Sequence, residues 1–313
     1  MSRHIEAMEN AKQQSLTVEK EGAKMRLDAF LASCAGDQSR SQWKLHIEAG
    51  HVLLNGQRVK PNARLKTGDA LCWSLPAERP MTAVPEDIPL EILYEDAAVL
   101  VLNKPPGMVV HPAVGNPSGT LLHGLLFHDP VFQTLERAGI VHRLDKDTSG
   151  VMVVAKSEKA IAELQRQFKA RETEKEYVAL VWGEPPKSGR IETQLGRHPV
   201  HRKKQAVLKE NGREAITNFQ CLETFGPCAW MGVKIETGRT HQIRVHMAHI
   251  RHPIVGDTLY GRPHKGRLPI EPERQMLHAA KLTFNHPETG KRLSFEAPLF
   301  EDMSSLLETL RNG

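Results

Sequence analysis

Two polar stretches hold the residue types that can do chemistry. The first is His142-Arg143-Leu144-Asp145-Lys146-Asp147-Thr148-Ser149-Gly150, which gathers carboxylates, cations and hydroxyls just before an apolar run, Val151-Met152-Val153-Val154-Ala155. A loop that feeds a rigid strand is a good mount for a catalytic side chain. The same string also reads as a turn whose Asp and Ser side chains cap local backbone donors. The second is Thr237-Gly238-Arg239-Thr240-His241-Gln242-Ile243-Arg244-Val245-His246. Its alternating basic and apolar residues suit a half-exposed strand or helix with phosphate-contacting edges. Neither stretch is specific alone.

The missing motifs narrow the chemistry. There is no G-x-x-x-x-G-K-[ST] phosphate loop, G-x-G-x-x-G dinucleotide turn, G-x-S-x-G elbow or H-E-x-x-H helix, so nucleotide hydrolysis, hydride transfer and serine hydrolysis lose their usual supports. Metal hydrolysis is a rival, with His241, His246 and His249 joined by Asp145 or Asp147 as ligands. Positions 241 and 246, however, point away from one another on an ideal helix.

The elements that position these stretches follow from pattern. Four prolines between Pro76 and Pro89 read as a linker. Before it, helical spacing at Leu27, Phe30 and Leu31, and again at Trp43 and Ile47 with a stop at Gly50, predicts two short helices. A hairpin follows, turning at Asn55-Gly56, a pair suited to φ > 0 at both central positions. After the linker, Ala98–Leu102, Val151–Ala155, Tyr177–Trp182, Trp230–Ile235 and Leu282–Phe284 read as strands. Ser157 caps a helix with Ile161, Leu164 and Phe168 on one face. Long strands with few helices between them predict an α+β fold.

The 313 residues carry 42 Lys+Arg against 37 Asp+Glu, a formal charge of +5 that permits a polyanionic partner without requiring one. The length suits two domains. Four scattered cysteines form no C-x-x-C pair, so neither a disulfide framework nor a cysteine zinc site is expected. No apolar run reaches the ~20 residues of a membrane-spanning helix, and residues 1–24 have no apolar leader-like core. They are expected to be a flexible polar extension, and the address cytoplasmic.

Taken together, Lys104-Pro105-Pro106-Gly107, the string from His142 to Gly150, Tyr177 and the string from Gly238 to His246 resemble the RluA family of RNA pseudouridine synthases. His111-Pro112, Gly115-Asn116-Pro117, Gly119-Thr120 and His252-Pro253 are most similar to its RluD type. The resemblance runs from about Met25 to residue 313. Residues 25–76 resemble a small S-four-like RNA-binding domain through Arg26-Leu27-Asp28, Ser39-Arg40-Ser41 and the Gly50–Gly56 turn. Residues 77–87 are then the linker and 88–313 a pseudouridine synthase domain on a mixed, mainly antiparallel β-sheet flanked by helices.

What the resemblance implies is an isomerase that breaks the N1–C1′ bond of uridine, turns the base and joins C5 to C1′, with no cofactor, nucleotide or metal. Its substrate would be a stem-loop of large-subunit ribosomal RNA, with another ribosomal RNA site or transfer RNA as the alternative, and the enzyme a monomer. Asp145 matches the catalytic aspartate, Arg244 its ion-pair partner and Tyr177 the residue that packs on the target base. Ile243 and Leu277 are expected to line the pocket. Arg143 is the candidate to fill the gap left by the extruded uridine. Lys104, Arg239 and His241, with Arg40 and Lys44 in the small domain, are the expected RNA contacts, and His142 a hydrogen-bonded scaffold residue.

Overall fold

The computed structural model describes residues 14–35, 40–75, 83–113, 115–201, 204–261 and 268–312. The chain divides between residues 82 and 83 into two compact units.

In the first unit, helices α1 (Leu27–Cys34) and α2 (Arg40–Ala49) share a core with four short strands: β1 (Gln14–Thr17), β2 (Val52–Leu54), β3 (Gln57–Arg58) and β4 (Ala70–Trp73). The strands form an antiparallel sheet ordered β1-β4-β2-β3. Trp43 and Trp73 meet edge-to-face at 5.8 Å in its centre. The hairpin turn has positive φ at Asn55 (51°) and Gly56 (76°), as its residue types require.

One expectation is corrected here. Residues 14–24 are not part of a flexible extension: Gln14–Thr17 pairs with β4, Gln14 accepts a hydrogen bond from the Trp73 indole at 2.7 Å, and Val18 is buried. A four-residue strand is too short to show a period of two, and its polar members hid the burial of Leu16 and Val18. Residues 1–13 lie outside the described residues. The linker is likewise shorter than 77–87: Glu86 donates its backbone N–H to His123 O and accepts from the Gly119 N–H, so that segment belongs to the larger unit. Residues 76–82 lie outside the described residues.

The second unit is built on strands β5 (Glu91–Glu95), β6 (Val99–Lys104), β7 (Ser149–Ala155), β8 (Glu174–Trp182), β9 (Ser188–Arg197), β10 (Gln205–Leu208), β11 (Arg213–Thr224), β12 (Cys228–Ile235), β13 (Leu277–Asn285) and β14 (Arg292–Glu296). They form one sheet ordered β10-β9-β11-β12-β8-β13-β7-β6-β5, with β14 on β13. Every pairing is antiparallel except β13 with β7, so the sheet is mixed and mainly antiparallel. Helices α3 (Leu121–His128), α4 (Glu158–Ala170), α5 (Gln242–His249) and α6 (Glu301–Asn312) flank it, making the fold α+β.

Strand alternation sorts the helices onto faces. Ala179 and Val181 of β8 join the core of Ile243 and Met247 on α5, whereas Leu180 and Trp182 join that of Met303, Leu306 and Leu307 on α6. β7 is buried along its whole length, and its continuous apolar sequence reflects cover on both faces. Ser157 caps α4 by accepting the Ala160 N–H at 3.1 Å. Among the described residues no helix is long and apolar enough to cross a membrane.

Candidate active site

The loop that carries Asp145 is held at both ends by β7. Upstream, His142 Nε2 accepts the Val153 N–H at 3.0 Å and the ring stacks on Phe168 at 4.7 Å. Burial drives that imidazole down to about 3, so it works as a neutral acceptor. Downstream, Thr148 N–H closes a tight turn on Asp145 O at 3.1 Å. Gly150 then lies where a Cβ would sit 2.2 Å from Ala279 O, at φ 118°, so only glycine lets β7 run against β13 here.

Two buried cations brace the same loop, and one corrects an expectation. Lys104 is fully buried, and its Nζ donates to Pro105 O (2.7 Å), Met108 O (3.0 Å) and Lys146 O (3.0 Å). It cannot reach a phosphate. It ties the Pro-Pro-Gly turn to the residue after Asp145, and it is enclosed because β6 ends beneath that loop. Burial pushes its ammonium down to about 7, opposed by the Asp147 and Asp145 carboxylates and assisted by Arg274. Arg274 is buried; it grips Asp302 at 2.5 and 2.9 Å and donates to Asp147 O at 3.1 Å. Residues 262–267 lie outside the described residues.

Lys104→Met leaves three partly buried carbonyls without their ammonium donor, each deficit worth at most roughly 1–3 kcal/mol. A fall in urea midpoint at pH 7, with activity lost beyond the unfolded fraction, is the expected result. The unfolded lysine keeps its proton up to its ordinary 10.5 while the folded one yields it near 7. Raising the pH through that window therefore favours folded wild type and not Lys104→Met, and the stability gap widens. A gap that stays constant from pH 7 to 10 would contradict this.

The second polar stretch forms a turn and then α5. Gln242 anchors it: its Oε1 accepts from Thr237 Oγ1 (2.8 Å) and the Arg239 N–H (3.0 Å), and its Nε2 donates to Ile216 O (2.9 Å) on β11. Arg244, in the first turn of α5, donates through Nη1 to Asp145 Oδ2 at 3.0 Å. Its Nε and Nη2 form a bidentate pair with Asp257 at 2.7 and 3.0 Å. Burial alone would ease its proton off; the hydrogen bonds and charge of Asp257, reinforced by Asp145, raise its pKa instead. Asp145 is thus pinned by one oxygen, and its side chain is 19% exposed.

Above this pair lies a cavity of about 550 Å³ lined by Asp145, Arg244, Tyr177, Arg143, Arg239, His241, Ile243 and Leu277, together with Ile235 and Phe168. All eight expected residues of the catalytic unit other than Lys104 therefore meet in one place. Half-buried Tyr177, with Ile243 and Leu277 from the core behind, makes an aromatic and apolar wall. Burial raises the Tyr177 pKa, and the Asp145 charge adds to it, so the phenol stays protonated.

The rim is basic. Exposed Lys169, Arg171 and Arg213 join Arg143 and Arg239 there, with buried Lys175 in the wall, against the carboxylates of Asp145 and Glu236. Arg143 is exposed and makes no hydrogen bond or ion pair with another described residue. Arg239 Nε donates to Glu214 O at 2.9 Å, and Arg171 pairs with the Glu214 carboxylate.

His241 is a correction. It lies inside the cavity rather than on a phosphate-facing surface, with Nδ1 at 2.7 Å from Tyr260 Oη and Nε2 at 3.9 Å from Asp145 Oδ1. It caps the first turn of α5 in a left-handed conformation, φ 56°, which turns the ring inward. His246 is elsewhere, between Thr193 and Thr217 at 2.9 and 2.8 Å. In the small unit, Arg40 is half-exposed but leans on buried Asp28 at 3.4 Å, and Lys44 borders a groove with Arg26, Arg58 and Lys60.

Sequence reading missed Asp257, Tyr260 and Arg274. A Gly256-Asp257 turn is an everyday surface signal, and nothing local says that its carboxylate is buried under Arg244.

A carboxylate with one oxygen tethered and one free, an aromatic wall and a cationic rim describe an enzyme that works on an uncharged ring attached to an anionic polymer. Comparison with known proteins carries this further. The family described as RNA pseudouridylate synthase matches residues 98–249, and the S4 domain matches residues 25–71. The chain is 45% identical over 313 residues to the ribosomal large subunit pseudouridine synthase D of Neisseria meningitidis serogroup B, covering 97% of this chain and 84% of that protein. With the protein of that name from Pseudomonas aeruginosa identity is 43%, over 91% of this chain and 92% of the other. The structure of human RNA pseudouridylate synthase domain containing 1 superposes with a TM-score of 0.55 at 28% identity, covering 73% of this chain and 97% of that one. The chain belongs to the RNA pseudouridine synthase family and is an isomerase of that kind.

Proposed function

We propose that the chain converts uridines of large-subunit ribosomal RNA to pseudouridine, as a cytoplasmic monomer, with Asp145 as the reacting carboxylate. The single observation that carries the reading is the Asp145–Arg244 contact at 3.0 Å at the base of a cavity walled by Tyr177. The Arg244 guanidinium holds Oδ2 of that carboxylate. The free Oδ1 then faces the space where an extruded nucleoside fits.

The base leaves the RNA stack at a cost of a few kcal/mol. Tyr177 offers a face to replace the lost stacking, and exposed Arg143 in the cavity lining can occupy the gap. Mapping pseudouridine in total RNA from cells with the gene, without it, and with an Asp145→Asn copy tests the assignment. A site in large-subunit RNA present only with the intact gene is expected. Loss confined to transfer RNA would overturn the substrate, and loss nowhere the whole reading.

The rim arginines supply the salt-dependent part of binding. Arg213→Ala is expected to weaken RNA binding evenly across sequences and to lower the slope of log K against log salt by about one unit, while leaving kcat unchanged. A titration at several salt concentrations that gives an unaltered slope would remove Arg213 from the contact surface.

A further inference from the structure

We infer that Tyr260 and His241 form a positioning pair for the reacting carboxylate. The Tyr260 hydroxyl donates to His241 Nδ1 and so fixes the ring tautomer whose Nε2–H faces the free oxygen of Asp145.

Tyr260 Oη already accepts the Gln205 N–H at 2.8 Å, which directs its own hydroxyl proton to the remaining neighbour, His241 Nδ1, at 2.7 Å. A neutral imidazole carries one N–H. The tautomer with the proton on Nε2 presents a positive edge to Asp145 Oδ1 at 3.9 Å, whereas the other presents a lone pair to an anion. The charges around the ring bear on the same point. Burial and the Arg244 and Arg143 guanidiniums press the imidazole toward neutrality, Asp145 and Asp257 resist, and the ring titrates below its ordinary range. Lys204 lies over the Tyr260 ring at 6.0 Å, adding positive charge on the far side.

Backbone geometry supports a functional reading. A left-handed conformation at a residue with a Cβ carries strain and persists only where surroundings enforce it. Here it brings the ring into the cavity. Tyr260 also reaches the other partner of Asp145: its backbone N–H donates to Asp257 Oδ1 at 3.0 Å, and its ring lies 5.2 Å from the Arg244 guanidinium carbon. One residue therefore steadies both groups that flank the carboxylate. The 3.9 Å separation is too long for a hydrogen bond, so Oδ1 stays available to the nucleoside while its direction is set.

This rests on the reading of Asp145 as the reacting group, and the experiment separates the two. Full-length wild type, Tyr260→Phe, His241→Gln, His241→Phe and Asp145→Asn are assayed between pH 5 and 9 on an RNA stem-loop that wild type modifies, with melting temperatures in parallel. Tyr260→Phe keeps the ring but loses two hydrogen bonds at its edge, so a modest fall in melting temperature is expected and rates are compared on the folded fraction. Its kcat is expected to fall by about ten- to a hundred-fold with little change in KM, the range for a misplaced reacting group. Its acid limb should move to higher pH, because an Nδ1 without its donor takes up a proton more readily beside two aspartates, and the imidazolium then occupies Asp145.

His241→Gln preserves an N–H donor and cannot titrate. It is expected to lose that limb and to retain at least ten-fold more rate than His241→Phe. A Tyr260→Phe enzyme with the wild-type rate and pH profile would overturn the pair, as would equal rates for the two His241 variants. A uniform fall in kcat at every pH would assign Tyr260 to scaffold alone and overturn it too. Activity in Asp145→Asn would instead sink the function beneath it.

Discussion

Asp145→Asn is expected to abolish isomerisation while RNA binding persists. The amide is nearly isosteric, so the turn closed by Thr148 N–H on the Asp145 carbonyl is untouched. What disappears is the charge. Loss of a reacting group in enzymes that use one is worth on the order of 10⁴-fold or more in kcat. Because the rim cations lie apart from this side chain, affinity should change by less than about three-fold, a loss below 1 kcal/mol. Purified Asp145→Asn assayed for pseudouridine and, separately, for binding at fixed salt decides the matter. Pseudouridine formed at more than a hundredth of the wild-type rate would remove Asp145 from the chemistry.

Arg244→Met has the second largest effect, on stability as well as rate. The Asp257 side chain has no exposure, and Arg244 is its charged partner by two hydrogen bonds. Removing one member of a buried pair strands the other, which typically costs about 3–5 kcal/mol. Among the described residues Asp257 then keeps the Leu259 and Tyr260 N–H groups. The variant should lose that stability in chemical denaturation and turn over RNA poorly even where folded, since Asp145 loses its cation. Adding Asp257→Asn should restore part of the stability and none of the rate. Recovery of both together would mean that Arg244 acts through folding alone.

Legibility differed by element for identifiable reasons. β7 and α4 stood out because the five consecutive apolar residues Val151–Ala155 and a capped apolar stripe are strong one-dimensional signals. The Asn55-Gly56 hairpin was equally plain, since few residue pairs adopt two positive φ values. β9, β10 and β11 were not visible: their mixed burial reflects a sheet end with one wet face. The stretch from Gln242 to His249 could be strand or helix by pattern. It is helical because Gln242 staples its start to β11.

For the site, the sequence by itself determined which residue types were gathered and, through family resemblance, that Asp145, Arg244 and Tyr177 belong together. It did not decide what a cation is for. Lys104, Arg274 and Arg239 look alike along the chain, yet the first two are enclosed under the catalytic loop and the third lies on the cavity rim. His241 and His246 are likewise similar neighbours, one aimed at Asp145 and the other locked between threonines. Burial and hydrogen-bond partners assign those roles, and both arise from contacts between residues up to 127 positions apart, as in Arg274 with Asp147. Local pattern records which way a side chain points along its own strand or helix. Only the folded chain brings up the carbonyl, carboxylate or solvent that it meets there.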